Sequence, residues 1–262
     1  MQSICADLGA EQEALAAVLV GCDEGAWDAP TPAEGWAVRD QVSHLAYFDE
    51  KAVLAHTDPD AFAAELEVLL ATGDLLALER EHLAIGRAMT GVEMLAWWQA
   101  ANARLRATYA DLEPSTKVLW YGPAMGARSK ITARIMETWA HGQDVRDALG
   151  IDTIPTGRLR HVCHIGVRAR PFAYQANGRT VPRDDVAVTL TAPDGPTWEW
   201  GDPAADNTVV GPALDFALLV TQRRHRADTA LVASGADADE WLDIAQAFAG
   251  PPGAGRRPGQ FV

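Results

Sequence analysis

The chain of 262 residues is poor in cysteine, in positive charge and in long apolar runs. Its three cysteines, Cys5, Cys22 and Cys163, show no CxxC spacing, so we expect no disulfide scaffold and a reducing, cytoplasmic location. Lysine and arginine total 22 against 36 acidic residues, which gives a formal net charge of −14. Nucleic acids and anionic membranes both favour basic surfaces, so we expect neither as a partner.

Several familiar sequence signals are also missing. No apolar stretch is long enough and free enough of charge to span a membrane, and the N-terminus lacks the pattern of a secretory signal. The chain contains no P-loop, no GxGxxG and no GxSxG motif. The length is that of one large domain or two small ones, whose chemistry must come from other residues.

The first 150 residues predict an all-helical domain of four or five long helices. Thr90 and Glu93 match the capping box that starts a helix. Ser129 is predicted to cap the last helix and Gly150 to end it. Bundles of such helices commonly hold metal sites between facing helices. Apolar spacing predicts helices at 3–21, 38–56, 90–112 and 131–150, and one or two within 57–90 that break near 72–74.

After Gly150 the pattern changes to that of a small α/β unit. Pro171 is expected to kink a helix, and Pro212 to open another. The predicted fold class is therefore α+β, with domains 1–150 and 151–262. The predicted elements are helices at 156–176, after 212 and at 239–249, and strands at 186–191, 197–200 and 207–211.

The helix predicted over 131–150 carries the most informative pattern. Glu137, His141 and Asp144 are spaced i, i+4, i+7 and therefore share one helical face. A carboxylate and an imidazole one turn apart can both reach one divalent metal ion. Such a pair is common on helix surfaces, so alone it is weak evidence for a metal site.

Other polar and aromatic patterns are ambiguous. His44 lies beside the apolar stripe of its helix, where a core-edge histidine bonded to a neighbour is the plainer interpretation. His161 and His164 are i, i+3, but they have no carboxylate nearby in sequence, so packing or surface roles are favoured. The aromatic and glycine-bearing loop 120–126 would line a pocket or serve as a plain connection.

Two motifs together resemble a known family. They are Gly-Trp-x-Val-Arg-Asp-Gln-x-x-His-Leu at 35–45 and Glu-x-Trp-x-His-Gly-x-Asp at 137–144. They resemble the mycothiol-dependent maleylpyruvate isomerase family, within the DinB-like superfamily of metal-binding four-helix bundles. Segments 192–203 and 209–225 are similar to the family's small sterol-carrier-like α/β domain. The best fit is an actinobacterial subgroup described only as metal-binding. The resemblance implies a DinB-like four-helix bundle followed by that domain.

The resemblance also implies a metal site formed by His44, Glu137 and His141. Two histidines and one carboxylate leave positions open for water or substrate, as catalytic zinc sites do. Zinc is the expected divalent metal. Asp144 matches an acidic position of the motif, and we assign it to orienting a ligand or a bound water. A salt bridge to Arg146 or another base is the alternative.

Four further residues have two interpretations each. Asp40, one turn before His44, could orient the site or simply place a charge at a helix N-terminus. Arg223 and Arg224 are candidate catalytic residues that would grip a substrate carboxylate. The alternative is that they flank a helix end, where cations are favoured. Arg39 is open to the same pair of interpretations as these arginines.

A thiol reaction would need an outside thiol, because none of the cysteines lies in either ligand motif. A zinc ion held by two neutral histidines and one glutamate would lower the pKa of a bound thiol or water. The resemblance implies mycothiol as the cosubstrate, which would add as a thiolate to an electrophilic carbon.

Three functions remain open at this point. The first is a metal- and thiol-dependent isomerase or transferase that acts on a small electrophile. The second is a metal-dependent hydrolase or lyase that needs no thiol. The third is a non-enzymatic protein that binds a metal or a small ligand. Open coordination positions favour the two enzymes, and a homodimer is compatible with the sequence.

Overall fold

The fold combines helices with small sheets, and the chain divides into two units, Met1–Thr153 and Ile154–Val262. The coordinates are a computed structural model that describes residues 1–74 and 76–261. The predicted domain boundary at residue 150 lies next to the observed division. None of the helices in these described ranges is long and apolar enough to cross a bilayer.

The first unit is built mainly from helices. They are α1 (Gln2–Leu19), α2 (Glu24–Trp27), α3 (Val38–Thr57), α4 (Pro59–Thr72), α5 (Ala77–Arg87) and α6 (Gly91–Ala110), followed by the hairpin strands β1 (Lys117–Val118) and β2 (Met125–Gly126) and by α7 (Ala127–Leu149). Helix α1 packs against α6 and α7, while α3 packs against α5, α6 and α7. Helices α3 and α7, far apart in sequence, are therefore neighbours in space.

The apolar stripe of α3 anchors this helix in the core. Val38, Val42 and Leu45 repeat at helical spacing and are fully buried, in a cluster that includes Trp98 of α6 and Val145 of α7. The helix predicted over 38–56 is therefore confirmed, as is the predicted break near 72–74, where α4 ends and α5 has not yet begun. The capping box predicted at the start of α6 is also present.

The start of α7 differs from the prediction. The helix begins at Ala127 and has no side-chain cap, so the proposed capping role of Ser129 is wrong. The hairpin leads directly into the helix, and the N–H groups of Ala127 and Arg128 donate to the carbonyls of Thr116 and Pro114, at 2.8 and 3.1 Å. Backbone carbonyls thus satisfy the first turn, which would otherwise need a side-chain acceptor.

The other end of α7 agrees with the prediction. Gly150 takes the left-handed conformation, with φ 64° and ψ 36°, and its N–H donates to the carbonyl of Arg146. A residue without a Cβ adopts this conformation without strain. The helix is therefore stopped where the sequence indicated.

A buried ion pair connects α7 to α3. The Arg134 Nε lies 2.8 Å from the Asp49 Oδ1, and its Nη2 donates to the carbonyl of Leu45 at 3.1 Å. Both charged side chains are almost fully buried. Burial raises the pKa of Asp49 more than the neighbouring Arg134 lowers it. The pair fixes the register between the two helices.

The second unit is a four-stranded sheet with helices. Its elements are α8 (Leu159–Arg168), α9 (Arg170–Ala176), β3 (Val186–Thr191), β4 (Thr197–Trp200), β5 (Asn207–Pro212), α10 (Ala213–Val220), a 3₁₀ turn (Arg226–Asp228), β6 (Val232–Ser234) and α11 (Ala236–Ile244). The strand order is β4-β3-β5-β6. Strands β3 and β5 are parallel, with Val188 opposite Val209, and the other two pairs are antiparallel.

Two predicted helices of this unit need correction. The helix predicted over 156–176 is divided at Ala169 into α8 and α9, and Pro171 lies in the first turn of α9, where its missing N–H costs nothing. The helix predicted over 239–249 instead runs from Ala236 to Ile244, so Phe248 lies outside it. Its first turn is held by Asn207, whose Oδ1 accepts from the N–H of Asp237 at 3.0 Å.

Candidate metal centre

Three potential ligands converge where α3 faces α7. The Nε2 atoms of His44 and His141 lie 3.7 and 3.2 Å from the same carboxylate oxygen, Oε2 of Glu137. One ligand atom from each residue lies within 4.8 Å of the other two. Within the described part of the chain, no other group of three histidine, cysteine or acidic residues meets this criterion. The residues therefore form a candidate site for one metal ion.

The site is accessible from outside. The side chains of His44, Glu137 and His141 are 20%, 24% and 12% exposed to solvent. A structural zinc site is normally closed by four protein ligands, whereas a catalytic one leaves a position open. A set of three partly exposed ligands matches the second kind.

A chain of hydrogen bonds sets the tautomer of His141. The backbone carbonyl of Trp36 can only accept, so the Thr31 hydroxyl donates to it at 2.8 Å and accepts from the Gln41 Nε2 at 2.8 Å. The Gln41 Oε1 must then accept from the Nδ1–H of His141, at 2.5 Å. The Nε2 of His141 is therefore the ring nitrogen that faces the carboxylate of Glu137 and the candidate site.

The charge states also suit a cation. Burial, followed by repulsion from His141, lowers the pKa of His44 to about 3, so its imidazole is neutral at physiological pH. Burial alone would raise the pKa of Glu137, but hydrogen bonds and charge from His141 and His44 hold it well below its usual range. A neutral His44 and an ionised Glu137 are in the forms that bind metals, so these two residues fit a divalent ion.

A third histidine lies beside this set and was not predicted from the sequence. His82 on α5 is buried, its ring centroid is 5.2 Å from that of His44, and its Nδ1 lies 3.2 Å from the Ser43 Oγ. Gly86, one turn later, allows this approach: a Cβ there would lie 2.5 Å from the Cβ of Ser43. Only the packing of α5 on α3 brings His82 here, so no local sequence signal could have identified it.

The indole of Trp36 covers part of the site. Its ring centroid lies 5.6 Å from His44, 5.2 Å from His82 and 6.0 Å from His141, with a stacked arrangement on the last. The family-like motif contained Trp36 and Gln41, but the sequence did not indicate their contacts with the site. For Gln41 a signal was available, because it lies three residues before His44 on the same helical face.

Two residues near the start of α3 are engaged in contacts within the protein. The Asp40 carboxylate accepts from the N–H of Ala37 at 2.9 Å, and it also pairs with Arg87. It thus places a charge at the helix N-terminus. The Arg39 guanidinium donates to Asp28, to Glu24 and to the carbonyl of Met89, and the structure shows it as part of this internal network.

The remaining predicted residues are not members of the cluster formed by His44, Glu137 and His141. Asp144 is fully buried on α7, and its supporting role stays a prediction. Arg223 and Arg224 follow α10 in the second unit, where Arg224 lies over the ring of Phe261 at 4.6 Å. Their role in substrate binding also stays a prediction. His164, for which a packing or surface role was favoured, accepts from the indole of Trp200 at 3.3 Å.

An aromatic cluster extends from His44 and is formed by Phe48, Phe62, Trp120 and Tyr121. The ring centroid of Phe48 lies 4.6 Å from that of His44 and 6.1 Å from that of Trp120. Trp120 stacks on Phe62, and Tyr121 contacts the same ring at 5.2 Å. The loop 120–126, which the sequence left between pocket lining and plain connection, therefore supplies two members of this cluster.

The cluster covers a buried amine. Lys130 on α7 is 1% exposed, and its Nζ lies 3.1 Å from the ring centroid of Trp120. Burial, with repulsion from Arg134, lowers the pKa of Lys130 to about 6. The ring face favours an ammonium ion by about 2 kcal/mol when desolvated, which is less than full burial of a charge costs. The amine is therefore largely uncharged at neutral pH.

Comparison with known proteins agrees with the motif-based resemblance. The model for the mycothiol maleylpyruvate isomerase N-terminal domain matches residues 8–146, just over half of the chain. Uncharacterized proteins from two strains of Mycobacterium tuberculosis, CDC 1551 / Oshkosh and ATCC 25618 / H37Rv, are each 43% identical over 251 residues. These matches cover 96% of this chain and 97% of each relative.

Solved structures show the same fold. The crystal structure of the mycothiol-dependent maleylpyruvate isomerase matches with a TM-score of 0.58, and a histidine-to-alanine mutant of that enzyme matches with 0.56. Both are 17% identical and cover 88% of this chain and 92% of theirs. At this identity the likeness concerns the fold. Together with the domain match, it establishes that the chain belongs to the mycothiol maleylpyruvate isomerase family.

Proposed function

We propose that this protein is a metal-dependent enzyme that activates mycothiol for attack on a small electrophile, as an isomerase or S-transferase. The observation that carries the proposal is the convergence of His44, Glu137 and His141, of which His44 is neutral and Glu137 ionised. We further propose that zinc is the metal. When bound, zinc would supply the positive charge that lowers the pKa of a thiol near it.

The protein's own thiols are poorly suited to this reaction. Cys5 and Cys163 are buried, and burial raises the pKa of all three cysteines. A nucleophilic cysteine needs the opposite, a depressed pKa and some exposure. The reacting thiol therefore comes from a separate molecule, and family membership makes mycothiol the first candidate.

Each site residue has a defined part in this proposal. His44, Glu137 and His141 would hold the ion, and Gln41 keeps His141 in the tautomer whose Nε2 can bind. Trp36 covers part of the site and limits the entry of water. Asp144 supports the ligands of α7, and Arg223 and Arg224 bind an acidic group of the substrate.

The fold supports a finer assignment as well. The mutual packing of α1, α3, α6 and α7 supports a DinB-like four-helix bundle as the metal-binding part. The sheet of β3 to β6 with its helices supports a sterol-carrier-like second domain. Bundles of this kind build metal sites from side chains on facing helices, as α3 and α7 do here.

A direct assay tests the function. Zinc-loaded protein is incubated with mycothiol and monochlorobimane, and conjugate formation is followed by fluorescence. We expect a rate that disappears after chelation and in His44→Ala, while His161→Ala, a matched change outside the site, retains it. Equal rates for His44→Ala and wild type across several electrophiles would refute the thiol chemistry. Zinc uptake without any thiol reaction would instead favour a thiol-independent hydrolase or lyase, or a binding protein.

A further inference from the structure

The strongest unexplained feature outside the three ligands is the amine of Lys130. Its Nζ is buried beneath Trp120 and has no hydrogen-bond partner within the described part of the chain. The hydroxyl of Tyr121, in the same aromatic cluster, is also buried without a partner there. Buried polar atoms are nearly always bonded in native proteins, so two such atoms in one cluster indicate a site for a ligand.

The position of Lys130 links it to the metal centre. It lies on α7 seven residues before Glu137, which is two turns and about 10 Å along the same helical face. The aromatic cluster joins the two places, since Phe48 contacts both His44 and Trp120. Trp120, whose ring covers the Nζ, is half-buried in a loop whose Gly122 and Pro123 are exposed.

We propose that Lys130 is a nucleophilic amine that captures small carbonyl compounds as imines within the aromatic cluster. The flat rings of Phe62 and Trp120 favour an aldehyde or ketone with a planar, apolar body. The hydroxyl of Tyr121 is placed in the same cluster and can donate a hydrogen bond to the carbonyl oxygen. This reactivity needs no metal, so it is independent of the thiol chemistry.

The electrostatic surroundings favour this role over that of an anion anchor. A lysine becomes nucleophilic when it is desolvated, and burial is the largest cause that lowers the pKa of Lys130. Arg134 acts in the same direction, and Glu137 acts against it with a smaller effect. An anion anchor would need the charged ammonium form. The uncharged amine has a free electron pair instead, which is what addition to a carbonyl carbon requires.

The proposed step is balanced without any other reagent. The nitrogen electron pair of Lys130 adds to the carbonyl carbon, and a proton moves from nitrogen to oxygen to give a carbinolamine. Loss of water, with the hydroxyl from carbon and the second proton from nitrogen, leaves the imine. Hydrolysis reverses the step and restores the amine and the carbonyl compound.

The experiment uses the fact that the chain has only three lysines, Lys51, Lys117 and Lys130. Wild-type protein is treated at pH 7 with benzaldehyde and sodium cyanoborohydride, and each lysine is followed by peptide mass spectrometry. Lys117 is exposed and Lys51 is paired with Glu65, so they serve as internal references. We expect Lys130 to be labelled at least about tenfold faster than Lys117, because an amine of pKa near 6 is mostly uncharged at pH 7.

Matched variants complete the test. Lys117→Arg should leave the labelling of Lys130 unchanged, whereas Lys130→Arg, whose guanidinium forms no imine, should lose the fast phase. Formaldehyde, which is smaller, is used in parallel to separate access from reactivity. The comparison of sites within wild-type protein stays valid even if the Lys130 variant fails to fold. Labelling of Lys130 no faster than that of Lys117 with both aldehydes would overturn the proposal.

Discussion

The amide of Gln41 decides which nitrogen of His141 faces the candidate metal site. Its orientation is fixed by Thr31, and that of Thr31 by the backbone carbonyl of Trp36, which cannot donate. A histidine ligand needs such a partner, because an imidazole free to change its tautomer presents a lone pair at Nε2 for only part of the time.

We therefore predict that Gln41→Leu weakens zinc binding by about 10- to 100-fold, the usual effect of removing the partner of a ligand histidine. Competition with a chromophoric chelator measures the affinity. Gln41→Glu, which keeps an acceptor for the Nδ1–H, is the control and should stay closer to wild type. Equal affinities for wild type and Gln41→Leu would show that the hydrogen bond does not matter.

His82 should make the metal-free protein sensitive to acid. Burial, with repulsion from His141, lowers the pKa of His82 from 6.5 to about 4. The unfolded state therefore binds a proton at higher pH than the folded state. Above pH 6.5 protonation of His82 does not change the free energy of unfolding. Between pH 6.5 and about 4 the free energy of unfolding falls as the pH falls, because the unfolded state takes up the proton first.

We predict that protonation of His82 lowers the free energy of unfolding by about 2–3 kcal/mol between pH 7 and pH 4.5. Urea unfolding at pH 7 and pH 4.5, with chelator present, should show a larger drop in the free energy of unfolding for wild type than for His82→Gln. Acid-sensitive groups other than His82 are shared by both proteins, so their effect cancels to first order. The same drop in both proteins would contradict the prediction.

At the scale of helices, the ion pair between Arg134 and Asp49 ties together the two helices that carry the proposed ligands. Arg134→Met should lower the free energy of unfolding by about 3 kcal/mol or more, because it leaves the buried carboxyl of Asp49 without its partner. Urea denaturation measures the effect.

The double variant Arg134→Met/Asp49→Leu is the control for this prediction. Replacing both partners by apolar side chains of similar size removes the uncompensated group, so most of the lost stability should return. If the double variant were less stable than Arg134→Met, the cost would come from lost packing and not from the unpaired carboxyl.

The sequence predicted the parts of these helices that depend on local spacing. Glu137 and His141 share a face of α7 because of the helical period, and Gly150 ends the helix because few other residues adopt its backbone conformation. The cap of α7 was predicted wrongly, because distant carbonyls replace the side chain of Ser129. The position of His82 beside the candidate site depends on how closely α5 approaches α3, and no local sequence pattern encodes that distance.

At the scale of the whole molecule, all three proposed ligands come from the first of the two units. Zinc binding should therefore stabilise this unit, by about 4 kcal/mol at a free concentration a thousand times the Kd. We predict that zinc slows hydrogen exchange of backbone amides in α3 and α7 and leaves β3 and β5 unchanged. Mass spectrometry with and without chelator measures this, and equal slowing along the whole chain would contradict it.

Some of the proposed functional residues could be predicted from the sequence and others could not. The proposed ligands belong to two sequence motifs, so a family resemblance could indicate them from the amino-acid sequence alone. The position of Arg223 and Arg224 after α10 says nothing by itself about a substrate, because a cation at a helix end is favourable without one. No sequence pattern around Lys130 predicted its burial, because the burial of this amine follows only from the packing of Trp120 over it.

The wide separation of the ligands along the chain has a consequence for biosynthesis. During synthesis from the N-terminus, His44 leaves the ribosome long before Glu137 and His141 do. A nascent chain that ends before α7 offers one imidazole of the set, which cannot hold a zinc ion against cellular chelators. Metal loading at the proposed site would thus be restricted to chains in which α7 has already docked, and metal content would record the folding of the first unit.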